Sequence, residues 1–280
     1  MKRIIWLCLI CIIFNFSQSY SQNKLLSLPE LQKTRLFKSV EDAALSGQNV
    51  FRINLSNQGL TEVPEILFSF TNLQSVNLSN NKIKEIPGEI GKLVNLQYLN
   101  LEGTELSVLP QELTGLKNLL YLDLDYDNSL NATVALSQIF NMQNLTELSM
   151  KSVFIMSVPS QIGKMKNLSK LYLSNCGITD ISKEIGSLKN LTVLDLSFNE
   201  LTILPPEIGE MDKLKELYLG GNQLKSLPEE IKNLSESLQI LSLAQTNSSS
   251  GEYSVNPVPE DLVNTIQQWL PETKIVFPGY

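Results

Sequence analysis

Apolar residues return along this chain with one fixed spacing. The stretches that start at Leu73, Leu96, Leu191 and Leu214 share one pattern, in which apolar residues at offsets 0, +3 and +5 are followed by a proline at offset +14. The three apolar offsets recur in nine copies, which start at Val50, Leu73, Leu96, Leu119, Leu145, Leu168, Leu191, Leu214 and Leu238. The spacing is 23 residues, except for 26 after the fourth start and 24 after the eighth.

Within each copy, the alternation of apolar and polar residues predicts a short β-strand. Offsets +3 and +5 lie on one face of such a strand, and offsets +2 and +4 lie on the other. Successive copies place their strands side by side, so we expect one parallel sheet with a buried face and an exposed face. The rest of each copy must return on the opposite side and takes more room there. The stack is therefore expected to curve, with the sheet on the concave side.

The recurring pattern resembles the leucine-rich repeat family. It reads L-x-x-L-x-L-x-x-N-x-L, and its tail, P-x-E-I-G-x-L-x-N-L, is typical of the 23-residue class of bacterial members. The resemblance covers residues 50–261 and implies an α/β solenoid. Such a solenoid is a right-handed curved superhelix with a parallel concave sheet, here of about nine repeats between a helical N-terminal cap and a C-terminal cap.

The resemblance also implies a role for offset +8, where an Asn side chain hydrogen-bonds to backbone groups of neighbouring turns. Asn81, Asn199 and Asn222 fit this structural ladder. In the other repeats, we expect the ladder position to be occupied by Gln58, Thr104, Asp127, Val153, Cys176 and Thr246.

The first 21 residues have the pattern of a signal peptide. The basic pair Lys2-Arg3 precedes an apolar run over residues 4–14, and small residues alternate up to Ser21. We predict cleavage after Ser21, with cleavage after Ser19 as the alternative. The apolar run spans only roughly 16 Å as a helix, about half of a bilayer core, so we expect no stable membrane span in the mature chain.

Segments at both ends of the repeats are predicted to cover the core. Residues 31–45 have apolar side chains at helical spacing, and residues 22–49 form the expected N-terminal helical cap. Residues 262–280 form the expected C-terminal cap, in which a helix ends before Pro271 and a strand follows over residues 274–277.

The composition excludes most catalytic chemistry. The chain has no His, and beyond residue 21 its only Cys is Cys176. This removes His-dependent catalysis, thiolate zinc sites and an intrachain disulfide. With 22 basic and 29 acidic residues, the chain is also poorly suited to nucleic acid. Asp123 and Asp125 could be a catalytic or calcium-binding pair, but an open sheet face offers neither desolvation nor an oxygen cage. We therefore predict no enzyme activity, no metal and no cofactor.

Outward-facing positions of the repeats combine tyrosines with carboxylates. Because Tyr is enriched at binding hot spots, we predict a strip on the concave face that binds a protein or peptide carrying basic groups. Alternatively, these are tolerated solvent positions, since Tyr suits an exposed strand in any case. The residues of the predicted strip are Tyr98, Glu102, Tyr121, Asp123, Asp125, Tyr126, Tyr172 and Tyr218.

Two functions remain open at this point. The first is an exported, non-enzymatic protein-binding module, which would be secreted, periplasmic or on the cell surface. The alternative is an intracellular signalling scaffold similar to small-GTPase-associated leucine-rich repeat proteins, which requires that residues 1–21 are not cleaved. A ubiquitin ligase of the effector type would need a separate catalytic domain, and residues 262–280 are too few for one.

Overall fold

The computed structural model describes residues 25–47, 49–246 and 253–277, so the predicted signal peptide lies outside the described residues. Within these residues, one parallel sheet of 11 strands follows the chain order, and the predicted leucine-rich repeat solenoid is confirmed. Its strands are β1 (Leu36–Phe37), β2 (Arg52–Asn54), β3 (Ser75–Asn77), β4 (Tyr98–Asn100), β5 (Tyr121–Asp123), β6 (Glu147–Ser149), β8 (Lys170–Tyr172), β10 (Val193–Asp195), β11 (Glu216–Tyr218), β12 (Ile240–Ser242) and β15 (Lys274–Val276).

The strands pair in a register that repeats the period of the sequence. Val76 stands beside Leu99, and Leu99 beside Leu122, and all three side chains are buried. The residues at offset +3 thus form one column, with offsets 0 and +5 on either side, and the core is continuous along the stack. Because burying one leucine contributes roughly 1.5–3 kcal/mol, every repeat stabilises this shared core.

Short 3-10 turns, most of them preceded by a proline, form the opposite, convex side. Glycines let these turns approach closely: a Cβ at Gly186 or Gly209 would collide with the backbone carbonyl of Glu207 or Glu230 in the following turn. Beside the turns, β7 (Ser157–Val158) pairs with β9 (Asp180–Ile181). The turns are η1 (Glu65–Ser69), η2 (Gly88–Lys92), η3 (Gln111–Gly115), η4 (Ser160–Lys164), η5 (Lys183–Ser187), η6 (Pro206–Glu210) and η7 (Glu229–Leu234).

The fourth repeat is three residues longer than its neighbours, and its return segment is a regular helix. Helix α3 (Ala132–Ile139) stands where the other repeats have a 3-10 turn. The side chain of Asn131 caps it by accepting a hydrogen bond from the N–H of Val134 (3.2 Å). The extra length is therefore used to complete α-helical turns, which require more residues than one 3-10 turn.

The N-terminal cap consists of α1 (Leu28–Lys33), β1 and α2 (Val40–Ala44). The chain just before α1 lies along the second and third repeats. The N–H of Leu26 donates to Oε1 of Gln74 (2.9 Å), and its carbonyl accepts from Nε2 of Gln97 (2.9 Å). Both glutamine side chains are almost completely buried, and Nε2 of Gln97 also donates to Oε1 of Gln74 (2.9 Å), so the segment joins a buried polar network that links two repeats.

The structural ladder is a series of buried side chains between consecutive turns. Oδ1 of Asn81 accepts hydrogen bonds from two backbone N–H groups of the preceding repeat, at 3.1 and 3.0 Å. Its Nδ2 donates to two backbone carbonyls, at 2.9 and 2.7 Å. Asn199 and Asn222 also bridge neighbouring repeats through hydrogen bonds of both polar atoms. Cys176 donates through Sγ to the carbonyl of Met150 (3.1 Å), and burial raises the pKa of its thiol to about 12.

The C-terminal cap begins with an antiparallel hairpin of β13 (Ala244–Thr246) and β14 (Tyr253–Val255). Helix α4 (Glu260–Trp269) follows, and β15 then adds the last strand to the long sheet. Among the described residues, no helix has both the length and the apolar character to cross a membrane.

This hairpin corrects the last position of the predicted ladder. Thr246 was expected there, but its main chain belongs to β13 and pairs with Tyr253. Asn256 occupies the position instead: its Oδ1 accepts from the N–H of Leu224 (3.1 Å), and its Nδ2 donates to the carbonyl of Leu219 (2.8 Å). The prediction failed because the hairpin is inserted between the strand and the residue that continues the ladder.

Candidate ligand-binding face

The concave face has a groove at its N-terminal end. Its floor is formed by the outward side of the strands from β2 to β6, and helix α1 forms one wall. Arg52 ties this wall to the sheet, because its Nη1 donates to the carbonyl of Gln32 (2.9 Å). The groove has a volume of about 360 Å³, which lies within the range of ligand sites. Facing α1, it is lined by Asn77, Tyr98, Asn100, Tyr121 and Glu147.

Tyr98 and Tyr121 form an aromatic pair in this groove. They are direct neighbours on β4 and β5, and their ring centroids are 6.2 Å apart with an interplanar angle of 36°. Both side chains are half-buried, and burial raises the pKa of both hydroxyls. The hydroxyl of Tyr121 donates to Oδ2 of Asp123 (2.7 Å), which fixes the orientation of its ring. The pair therefore presents rigid aromatic surface to the groove, at little cost in side-chain entropy.

Asp123 and Asp125 do not lie on an open face, so that expectation is wrong. Their exposures are only 6% and 5%, and burial raises the pKa of both carboxyls. Asp125 accepts from Oγ of Ser149 (2.6 Å) and from the N–H of Lys151 (2.7 Å), whose Nζ lies 3.5 Å from Oδ2. Asp123 accepts from Tyr121 and from the N–H of Asp125 (3.0 Å). Asp125 thus connects its repeat to the next one, whereas these two contacts of Asp123 lie within its own repeat.

Basic side chains compensate the charge in the middle of the concave face. Nζ of Lys151 lies 4.8 Å from the ring centroid of Tyr172, in addition to its contact with Asp125. Nζ of Lys170 lies 3.1 Å from Oε2 of Glu147. The surface around Tyr172 is therefore of mixed charge, since both lysines lie beside carboxylates there.

Glu102 and Tyr218 lie apart from these contacts. Glu102 follows β4, is partly exposed, and its N–H donates to Oδ1 of Asn100 (2.9 Å). Tyr218 lies on β11, separated from the strand of Tyr172 by β10. Its hydroxyl donates to Oε2 of Glu216 (2.7 Å), and its pKa is raised to about 12, chiefly by burial. The predicted strip thus consists of a tyrosine pair in a groove, a mixed-charge centre and a separate tyrosine.

Exposed aromatic and apolar side chains lie on the turns that follow the strands. Tyr126 and Phe198 occupy offset +7 with left-handed backbone (φ +63° and +54°), where most repeats have Asn, Ser or Gly. Phe154 and Met156, which the sequence reasoning missed, are 67% and 56% exposed, and Tyr126 is 53% exposed. The available signal was an apolar residue at offsets +9 and +11, where regular repeats have polar residues or Gly.

The comparisons with known proteins agree with this architecture. A sequence profile described as a leucine-rich repeat region matches residues 64–173 and 158–259, which is more than half of the chain. No curated protein is significantly similar in sequence.

Solved structures with similar folds come from plants and bacteria. The plant peptide hormone receptor RGFR1, in complex with RGF2, is 25% identical with a TM-score of 0.63, over 86% of this chain and 38% of the receptor. The Arabidopsis receptor kinase HAESA, in complex with the peptide hormone IDA and the co-receptor SERK1, is 26% identical with a TM-score of 0.58, over 69% and 34%. Internalin C2 of Listeria monocytogenes is 21% identical with a TM-score of 0.58, over 67% and 78%. The chain spans little more than a third of the length of the two plant receptors.

Proposed function

The chain belongs to the leucine-rich repeat family, and from this premise we propose that it is an exported, non-enzymatic module that binds a protein or peptide on its concave face. The observation that carries this proposal is the groove between helix α1 and the Tyr98–Tyr121 pair. Two structural relatives, RGFR1 and HAESA, were solved with peptide hormones bound. The proposed location outside the cytoplasm is supported by the signal-peptide pattern of residues 1–21.

In this proposal the tyrosine pair provides the contacts, and the buried Asp123 orients the ring of Tyr121. Ring faces of Tyr98 and Tyr121 offer preorganised contact area, and such aromatic anchors dominate the energetics of many interfaces. The carboxylate of Glu147, which lines the groove, and that of Glu102 after β4 favour a ligand with basic groups. Tyr126 and Phe154 extend the apolar surface beyond the strands for a ligand larger than the groove.

Photo-crosslinking from within the groove tests where the ligand binds. We replace Tyr121 with a photoreactive phenylalanine and irradiate the protein with an envelope extract of its source cells. The control carries the same group at Ile203, which is 68% exposed and does not line the groove. We expect one partner to crosslink at position 121 and not at position 203. Equal crosslinking from both positions would contradict the proposal.

Affinity measurements with the captured partner then test the tyrosine pair. Tyr98→Ala and Tyr121→Ala should each weaken binding about tenfold, which is typical for loss of a central aromatic contact. Ile203→Ala is the matched control and should leave affinity unchanged. If both tyrosine variants bind as tightly as the parent protein, the groove is not the binding site.

The intact mass of the native protein, measured separately in cytosolic and exported fractions, tests the proposed location. We expect a chain that starts at Gln22 and occurs outside the cytoplasm. A full-length chain in the cytosol would refute export and favour the intracellular scaffold.

A further inference from the structure

Helix α3 interrupts the tight packing of the convex side. In the regular turns, a glycine approaches the glutamate of the following turn: a Cβ at Gly163 would lie 3.1 Å from Cβ of Glu184. Gly115, in the turn that precedes α3, has no such neighbour within 4 Å. The packing is also open on the other side of α3, where a cleft separates the helix from β7 and η4. Replacing a turn with a helix has thus opened the surface at this repeat.

The floor of this cleft is apolar and comes from two repeats. Leu136 and Phe140 of the α3 segment face Ile155 of the following repeat, and each is less than 10% exposed. Beneath them lies a small void of about 10 Å³ that the same three side chains help to line. The cleft itself has a volume of about 420 Å³. That is room for roughly a dozen non-hydrogen atoms, at about 30 Å³ for each as in liquid water.

The rim of the cleft is polar and has a single charge, which is positive. Thr133, Ser137, Ser157 and Gln161 provide hydroxyl and amide groups, and Lys164 provides the ammonium group. None of the lining residues is acidic, although the chain has a net charge of −7. Lys164 makes no ion pair with any residue in the described part of the chain, so its charge is free for a ligand.

We propose that this convex cleft binds a small amphiphile, with an apolar chain of about ten carbons and a terminal carboxylate. The alkyl chain of the ligand lies on Leu136, Phe140 and Ile155, and its carboxylate faces Lys164. The apolar floor favours a ligand with an alkyl chain. Because no lining residue is acidic and the ammonium group of Lys164 has no ion-pair partner among the described residues, the cleft also favours a ligand with an anionic end. This site is separate from the concave groove, so it does not depend on the proposed function.

Calorimetric titration of the full chain with decanoate, below its micelle concentration, tests the proposal. We expect saturable binding with one site per chain. Ser137→Trp should abolish it, because the indole fills the cleft from an exposed position of α3. Val134→Trp is the matched control: it places the same bulk on the same helix, at a residue that is 40% exposed and does not line the cleft. It should bind like the parent protein.

The charged end is tested with Lys164→Ala and with decanol as a neutral ligand. Lys164→Ala should weaken decanoate binding about threefold at low salt, and less at high salt, as for an exposed ion pair. It should leave decanol binding unchanged. Absence of saturable decanoate binding, or equal binding by the Ser137→Trp variant, would overturn the proposal. If decanoate does not bind but Ser137→Trp weakens binding of the protein partner, the cleft is a protein interface and the amphiphile proposal is wrong.

Discussion

Asp127 occupies a ladder position that is suited to an uncharged side chain. It is fully buried, and its Oδ1 accepts from Oγ1 of Thr104 (2.8 Å). Its Oδ2 has no hydrogen-bond partner among the residues that the structure describes. At the equivalent position of another repeat, Nδ2 of Asn81 donates to two backbone carbonyls. Burial raises the pKa of the Asp127 carboxyl from 3.8 to about 7. We predict that Asp127→Asn stabilises the fold, because the amide supplies the missing donor and carries no charge.

The stability gain of Asp127→Asn should increase with pH, because the folded and unfolded chains differ in the pKa of the Asp127 carboxyl. Below pH 3.8, the carboxyl is protonated in both the folded and the unfolded chain, and it causes no penalty. As pH rises from about 4 to about 7, the Asp127 carboxyl loses its proton in the unfolded chain but keeps it in the folded chain. The free energy of unfolding therefore falls by about 1.4 kcal/mol per pH unit. The total loss above pH 7 is at most roughly 4 kcal/mol. Asp127→Asn should therefore gain several kcal/mol near pH 8 and only about 1 kcal/mol near pH 4.

Urea unfolding followed by circular dichroism, at constant ionic strength across this pH range, measures the effect. The difference between the parent protein and the variant isolates Asp127 from other titrating groups. Asn81→Asp provides the reverse control, because it should introduce the same fall in stability with rising pH. A stability gain of Asp127→Asn that is equal at pH 4.5 and pH 8 would refute the assigned pKa.

Three further substitutions test other parts of the structure. Gly209→Ala should lower the free energy of unfolding by about 2 kcal/mol through collision with Glu230, whereas Gly115→Ala should change it by less than about 0.5 kcal/mol; equal effects in urea unfolding would contradict the packing described for the convex side. Asn199→Leu should lower it by roughly 3 kcal/mol, because two buried N–H groups and two carbonyls lose their partner; a loss below about 1 kcal/mol would argue against the ladder as a stabilising element. Tyr126→Asn should raise it by about 0.5–1 kcal/mol by relieving left-handed strain, yet weaken ligand binding, and a destabilised variant would show that the ring itself stabilises the turn.

The core of this protein could be predicted from sequence because its determinants are local and repeated. Leu99 and Leu122 follow the same pattern within their own repeats, and stacking makes each the neighbour of the next. The polar network on the concave face could not be predicted in this way. Asp125 is buried by Ser149 and Lys151, which follow it by 24 and 26 residues, and an alternating pattern within one repeat contains no information on such partners.

Irregular repeats set the other limit on prediction. The spacing of 26 residues indicates that the fourth repeat differs, but not that it forms helix α3 and a cleft beside it. Asn256 follows a hairpin, so its place in the ladder can be assigned only from the three-dimensional structure and not from the spacing of residues in the sequence. The tyrosine pair of the groove was predicted from outward-facing positions, whereas the wall formed by α1 depends on how the cap folds back over the sheet.

The contact between Leu26 and Gln97 also bears on the order of events during synthesis. The two residues are 71 positions apart, so the hydrogen bond between them cannot form until the first two repeats and the start of the third have left the ribosome or a translocation channel. Closing such a long loop is slow compared with pairing neighbouring strands. The segment around Leu26 is therefore fixed only after the repeats that contain Gln74 and Gln97 have been synthesised. If residues 1–21 are a leader, the cleavage site remains accessible to a peptidase during this interval, a few residues from the point that later becomes anchored.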